Sequence, residues 1–362
     1  MALLLNQLEW TEEPLVPRVP NAAWETEVTS IMGMLPDALQ RLSPSPWVRR
    51  AYLDMTRAPT SSLAEPEIEL AALVTSQENA CRYCYGIART RMRMFGFSED
   101  MLDRIERRAQ LADADDRERE LVRFCRDLAR SKPRPSKKAR ETMASVGFTA
   151  QQTAELAFVV AATGFCNRVS TIIGATPETE LENMAPKTSL WQKLSAWMPG
   201  KVQMPRIPPP DYPPPTFDGP FGNLVRLLGP TPAGAALEGI LRSAFASDVL
   251  PDRLLALIVS VIARTLQCGL CEGIAAELLD AHRVDRNVQR EVLDTLGSPS
   301  LTAVENAVIP WARDTVWMPE QPARIQERSR PVLELVGPAM FIEVVGGAAL
   351  ANACARLAML ET

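Results

Sequence analysis

Apolar positions along this chain recur at three- and four-residue spacing, with charged residues on the opposite face, and no convincing alternating strand interrupts them. Ile68, Leu70, Ala71, Ala72, Leu73 and Val74 carry the pattern in one segment. Residues 117–129 and 150–173 carry it in two longer ones. Lys132-Pro-Arg-Pro-Ser and Ser145-Val-Gly-Phe-Thr break the runs, and Thr149 stands where an N-cap belongs. The expectation is an all-α chain with six or seven helices in each half, built around helical hairpins.

Proline marks the division between the halves. Nine prolines fall from Pro199 to Pro220, among them Ile207-Pro-Pro-Pro-Asp-Tyr-Pro-Pro-Pro. Proline fixes φ and lacks an N–H, so this stretch reads as an extended, semi-rigid linker. On its two sides one pattern occurs twice. Cys81-Arg-Tyr-Cys84-Tyr-Gly86-Ile87-Ala88 returns as Cys268-Gly-Leu-Cys271-Glu-Gly273-Ile274-Ala275, at a shift of 187 that also aligns Leu70 with Leu257 and Val74 with Val261. Asn167 pairs with Asn352 at a shift of 185. Five identities in eight positions indicate a tandem duplication. The expected division is a first Cys-x-x-Cys module over 1–184, a linker over 185–220 and a second module over 221–362.

Composition narrows the function classes. A chain of 362 residues with 46% apolar and 23% charged residues has the balance of a globular protein. The net charge of -5 argues against a nucleic-acid partner. The basic runs at Arg89, Arg91 and Arg93 and over 132–140 read as solvated helix faces. No run of about 18 to 20 uninterrupted apolar residues suggests a membrane span, and the first residues do not resemble a signal peptide. A cytoplasmic protein without a membrane partner is expected.

Seven cysteines is an odd number, in a chain too large to need disulfide staples. Cys125, Cys166 and Cys354 sit singly in apolar helical runs and read as core residues. The pairs Cys81/Cys84 and Cys268/Cys271 are the unusual feature. Cysteines three apart at a helix start lie on one face, within reach of a disulfide, where the helix dipole favours a thiolate. Asn79 is expected to cap the first of these helices, placing Cys81 in its first turn, with Thr265 doing the same for Cys268. One sulfur can then attack a peroxide or disulfide and the other resolve the product. A four-cysteine zinc site fits poorly, because more than 150 residues separate the pairs. Haem attachment needs a His directly after the second Cys, where Tyr85 and Glu272 stand. No cofactor or metal is expected.

On these residues the chain resembles the carboxymuconolactone decarboxylase/alkylhydroperoxidase-D-like superfamily, in its peroxidase-related branch. The resemblance runs from the Pro36 region through Glu69, the Cys81–Cys84 segment, Gly96-Phe-Ser-Glu, Asp116-Arg-Glu-Arg-Glu-Leu and Gly147-Phe-Thr to Asn167-Arg168-Val169 and Gly174. It runs more loosely from Phe221-Gly-Asn-Leu to Asn352. It implies two alkylhydroperoxidase-D-like helical modules packed as a pseudo-dimer, assembling further into a dimer or trimer of the duplicated chain. It implies a thiol-dependent peroxidase or disulfide oxidoreductase that takes a hydroperoxide or disulfide and is recharged by a dithiol reductant. In that reading Cys84 forms the sulfenic acid, Cys81 resolves it and Glu69 relays the proton. The chain departs from the pattern where active members carry a His four residues after the second Cys. Ala88 and Ala275 occupy that place, Tyr83 and Leu270 stand between the cysteines, and Ala256 replaces Glu69 in the second copy. Tyr83 or Tyr85 is expected to orient a peroxide instead. The lone His282, eleven residues past Cys271, is expected near a helix end at the surface. The competing reading is a non-catalytic redox-responsive or assembly protein, its cysteine pairs acting as switches or packed in a core.

Overall fold

The computed structural model describes residues 13–57, 59–107, 115–130, 136–184, 212–320 and 322–361. Most of the proline-rich linker and the Lys132 break lie outside these. Among the described residues the chain is all-helical, with no strand. The first half forms α1 (Ala22–Met32), α2 (Asp37–Arg41), α3 (Pro46–Arg57), α4 (Glu65–Glu78), α5 (Arg82–Met94), α6 (Glu99–Glu106), α7 (Asp116–Ala129), α8 (Ser136–Ser145), α9 (Ala150–Ile173) and α10 (Thr179–Met184). The second forms α11 (Gly222–Leu228), α12 (Pro232–Ala244), α13 (Asp252–Thr265), α14 (Gly269–Ala281), α15 (Arg286–Thr295), α16 (Ala303–Asp314), a 3-10 segment (Thr315–Glu320), α17 (Pro322–Val336) and α18 (Pro338–Ala358). Both halves hold more helices than the six or seven expected, while the periodic runs over 117–129 and 150–173 are α7 and α9.

Those caps are legible in residue type. Asn21, Ser98, Asp115 and Thr231 each accept a backbone N–H from the first turn of α1, α6, α7 and α12. Thr149 with Gln152, and Thr302 with Glu305, form reciprocal capping boxes on α9 and α16. Gly174 ends α9 with φ +71, and a Cβ there would stand 2.9 Å from Pro14 Cα, so the N-terminal segment can run across the helix end.

The core centres on α9 and α18, which pack along each other and join the two halves. Every residue of α9 from Thr153 to Ile173 is buried. Each Val, Leu, Ile or Phe buried there contributes about 1.5–3 kcal/mol, and Phe158→Ala would open a void costing about 3–5 kcal/mol. By length and composition α9 and α18 could each cross a membrane, but their most apolar windows are 100% and 83% buried inside the protein. That marks them as core helices, all-round hydrophobic because other helices surround them. Polar ties cross the same boundary. The Gln326 amide donates to Thr171 O (2.7 Å), and Glu343 on α18 accepts from Ser45 Oγ (3.1 Å) and from Ser247.

Two hairpins matter for the chemistry, α4–α5 and α13–α14. Each reverses through one residue in the left-handed region, Ala80 (φ +50) and Gln267 (φ +54). Each then closes with the N–H of the following cysteine on a carbonyl five residues back. Cys81 donates to Ser76 O (3.1 Å) and Cys268 to Ala263 O (3.0 Å). A non-glycine residue there costs roughly 1 kcal/mol or more, which the packing around the turn has to offset.

Candidate active site

The tight turn places each cysteine at the helix cap itself rather than inside the first turn. Cys81 is itself the N-cap of α5, its sulfur accepting the Cys84 N–H at 3.4 Å. Asn79 instead closes α4, and its amide donates to Asn167 Oδ1 on α9 (2.9 Å). Likewise Cys268 caps α14, while Thr265 is the last residue of α13 and donates its hydroxyl to Val261 O. A sulfur at the N-cap meets the unpaired first-turn N–H groups directly.

Cys81 is fully buried, whereas Cys84 is half-buried and opens to a cavity. The Cys84 thiol lies 3.7 Å from Ser170 Oγ, which in turn lies 2.6 Å from the Tyr52 hydroxyl. Burial pushes the Cys84 thiol up, but hydrogen bonds from Cys81, Asn167, Ser170 and Tyr52 outweigh it and bring it below the usual thiol range. Cys81 moves the other way: burial raises it well above that range, and the neighbouring Cys84 raises it further. Between the two, Cys84 is the sulfur that ionises and reaches open space.

The cavity, of about 290 Å³, is walled mainly by apolar side chains, including Met32, Met55 and Ile87. Glu69 lines it too. One carboxylate oxygen pairs with Arg91 Nη1 at 3.1 Å; the other is buried without a hydrogen-bond partner among the described residues. Burial raises Glu69 to about 7, the Arg91 charge opposing and Glu65 adding to the rise. The site therefore holds a carboxyl group able to gain or lose a proton near neutrality. Ala88 faces the same space.

Tyr83 also lines the cavity, with its hydroxyl donated to Glu178 Oε1 (2.9 Å). Arg82 forks onto Glu182 with bonds of 2.6 and 2.8 Å. These two bonds strap α10 across α5. The close approach explains Gly86, where a Cβ would overlap the Glu182 carboxylate. Tyr85 is buried beside Glu106, which raises its phenol along with burial, and it does not line the cavity. Nor do the arginines of α5 form a solvated face. Arg89 is buried against Glu99, Asp103 and Glu106, Arg93 pairs with Glu99, and Arg91 reaches Glu69.

Around Cys268 the furniture is different. Cys268 and Cys271 are joined by a disulfide, both buried. Ala256, in the place of Glu69, packs with Leu257, Val261 and Ile309 in a small satellite core. Ala275 is buried as well. His282 forms the C-cap of α14, partly exposed. Cys125 and Cys354 are core residues, whereas buried Cys166 also touches the Cys84 cavity. No three His, Cys, Asp or Glu side chains gather as metal ligands among the described residues.

Tyr52, Ser170 and Arg91 went unnoticed in the sequence. Tyr52 and Ser170 come from helices far from the Cys-x-x-Cys segment, and no local motif marks them. Arg91 was visible only as one of three alternating arginines. No family model and no curated protein matches this chain.

Proposed function

We propose that the first half is a thiol peroxidase or thiol–disulfide oxidoreductase of the alkylhydroperoxidase-D-like kind, with Cys84 as its nucleophile. The observation that carries this reading is the sharing of one cavity by a lowered thiol and a carboxyl group poised near neutral pH. In the reaction, Glu69 takes the Cys84 proton through water in the cavity. The thiolate attacks the terminal oxygen of a hydroperoxide, the O–O bond breaks, and the alkoxide takes the proton back from Glu69 to leave as an alcohol. The Cys81 thiol then attacks the Cys84 sulfenic sulfur, an S–S bond forms and water departs. An external dithiol restores both thiols by exchange and leaves as its own disulfide.

Tyr52 and Ser170 stand in for part of the absent imidazole by hydrogen-bonding toward the thiolate, though they supply no base. A base is worth about 10² to 10⁴ in rate, and cysteine is the nucleophile least harmed by losing one. The second half, with Ala256 in place of Glu69 and a closed disulfide, serves as a scaffold. It completes a pseudo-dimer of two copies of one module about the α9–α18 contact.

The test is steady-state oxidation of a dithiol driven by an alkyl hydroperoxide. Cys84→Ser should abolish turnover, Cys268→Ser should retain it, and Cys81→Ser should accumulate a sulfenic acid on Cys84 that dimedone traps. If wild-type protein shows no turnover while oxidation changes its oligomeric size, the non-catalytic switch reading replaces this one.

A further inference from the structure

On α9 and α18, which pack along each other, two buried arginines have no counter-charge among the described residues. Arg168 and Arg356 are each 2% exposed, and neither forms an ion pair among the described residues. Arg168 donates Nη1 to Gly164 O (3.1 Å), leaving Nε and Nη2 unpartnered. Arg356 donates Nη1 to Leu128 O (3.1 Å) and Nε to Asn352 Oδ1 (3.3 Å), leaving Nη2 unpartnered. The amide nitrogen of Asn352 is unpartnered too. At this place α9 and α18 therefore bury two guanidinium groups and four unused donor atoms.

Such an arrangement is costly unless something accepts those bonds. An unpaired ion in the interior is strongly destabilising, and each orphaned buried donor adds to that cost. Burial lowers Arg168 to about 10, so it still carries its charge at pH 7. Burial also pushes Arg356 down, and the adjacent Arg168 charge pushes it further. The two guanidiniums thus repel one another in the absence of an anion. Guanidinium groups do not shed their proton in proteins, so relief by neutralisation is closed to them.

We propose that Arg168 and Arg356, with the Asn352 amide, hold a small inorganic anion, chloride or a similar halide, between α9 and α18. A halide accepts several N–H bonds at once and neutralises one of the two charges. None of Arg168, Asn352 and Arg356 lines the Cys84 cavity. The anion's effect is to tie the two halves together across their shared core.

The experiment uses the intact chain. Crystals grown without halide and soaked in sodium bromide should give an anomalous peak within hydrogen-bond distance of both guanidiniums. In solution, the melting temperature should be higher in sodium chloride than in sodium gluconate at equal ionic strength, by ~2 °C or more at saturating chloride. That difference should vanish in Arg168→Met and Arg356→Met, whatever their absolute stability. Should either variant fail to fold, the wild-type soak and melting comparison decide alone. Water without anomalous signal between the guanidiniums, together with identical melting in the two salts, overturns the proposal.

Discussion

Around Cys81 and Cys268 the backbone takes the same steps in the same order. A helix ends, one residue turns left-handed, a cysteine caps the next helix, and its partner follows three residues on. What surrounds the two turns diverges. Glu69 looks into a cavity beside Cys84, while Ala256 is sealed in a satellite core. Gly86 is pressed by the Glu182 carboxylate, while a Cβ on Gly273 would meet nothing within 4 Å. One pair is open and unequal in acidity; the other is closed. The Cys-x-x-Cys motif sets sulfur spacing and cap geometry, whereas reactivity depends on groups delivered by distant helices.

The strongest way to break this comparison is to put the missing carboxylate into the second half. Ala256→Glu should cost about 4 kcal/mol or prevent folding, since it buries an unpaired acid where no cavity receives it. Denaturant unfolding measures this, and wild-type stability would mean the second half hides a cavity of its own. The histidine swap comes next. Ala88→His has open space to occupy and should raise the peroxide rate by about 10- to 100-fold. Ala275→His enters a packed core and should lower stability by about 2 kcal/mol without any gain in rate.

Glu69→Gln sharpens the pH argument. Because burial raises this acid from 4.5 to about 7, folding favours its protonated form. Its cost to stability is absent at low pH, grows from about pH 4.5 to 7 and is constant above that. The variant should therefore be the more stable protein above neutrality, by about 1–2 kcal/mol. The peroxide rate, rising through pH 7 in wild type, should lose that limb and fall about tenfold at pH 8. The smallest effect belongs to Tyr52→Phe. Removing one hydrogen bond from the Ser170 relay should raise the Cys84 thiol. The pH dependence of iodoacetamide labelling reads this directly, and an unmoved profile would detach Tyr52 from the thiolate.

The helical class, the Thr149 cap and the repeated Cys-x-x-Cys motif could all be read from the chain, because period, cap chemistry and motif identity are local signals. Glu69 could be singled out only through a family resemblance, and nothing in the sequence told which way it faces. The Asn79 and Thr265 caps were misplaced because each hairpin reverses within one residue, leaving the cysteine as the first residue able to cap. Tyr52 and Ser170 reach Cys84 from α3 and α9, and Arg168 and Arg356 lie on packed helices though just over half the chain separates them. Such meetings are decided by packing between helices and leave no periodic trace.

The pairing of α9 with α18 also orders events at the ribosome. About 185 residues separate the end of one helix from the end of the other, so α9 emerges long before its partner. At synthesis rates of about 5–20 residues per second, it waits roughly ten to forty seconds with an apolar flank uncovered. A nascent first half is thus a natural client for chaperones that bind exposed apolar helices, and a chain stalled before α18 carries an unburied surface that invites aggregation.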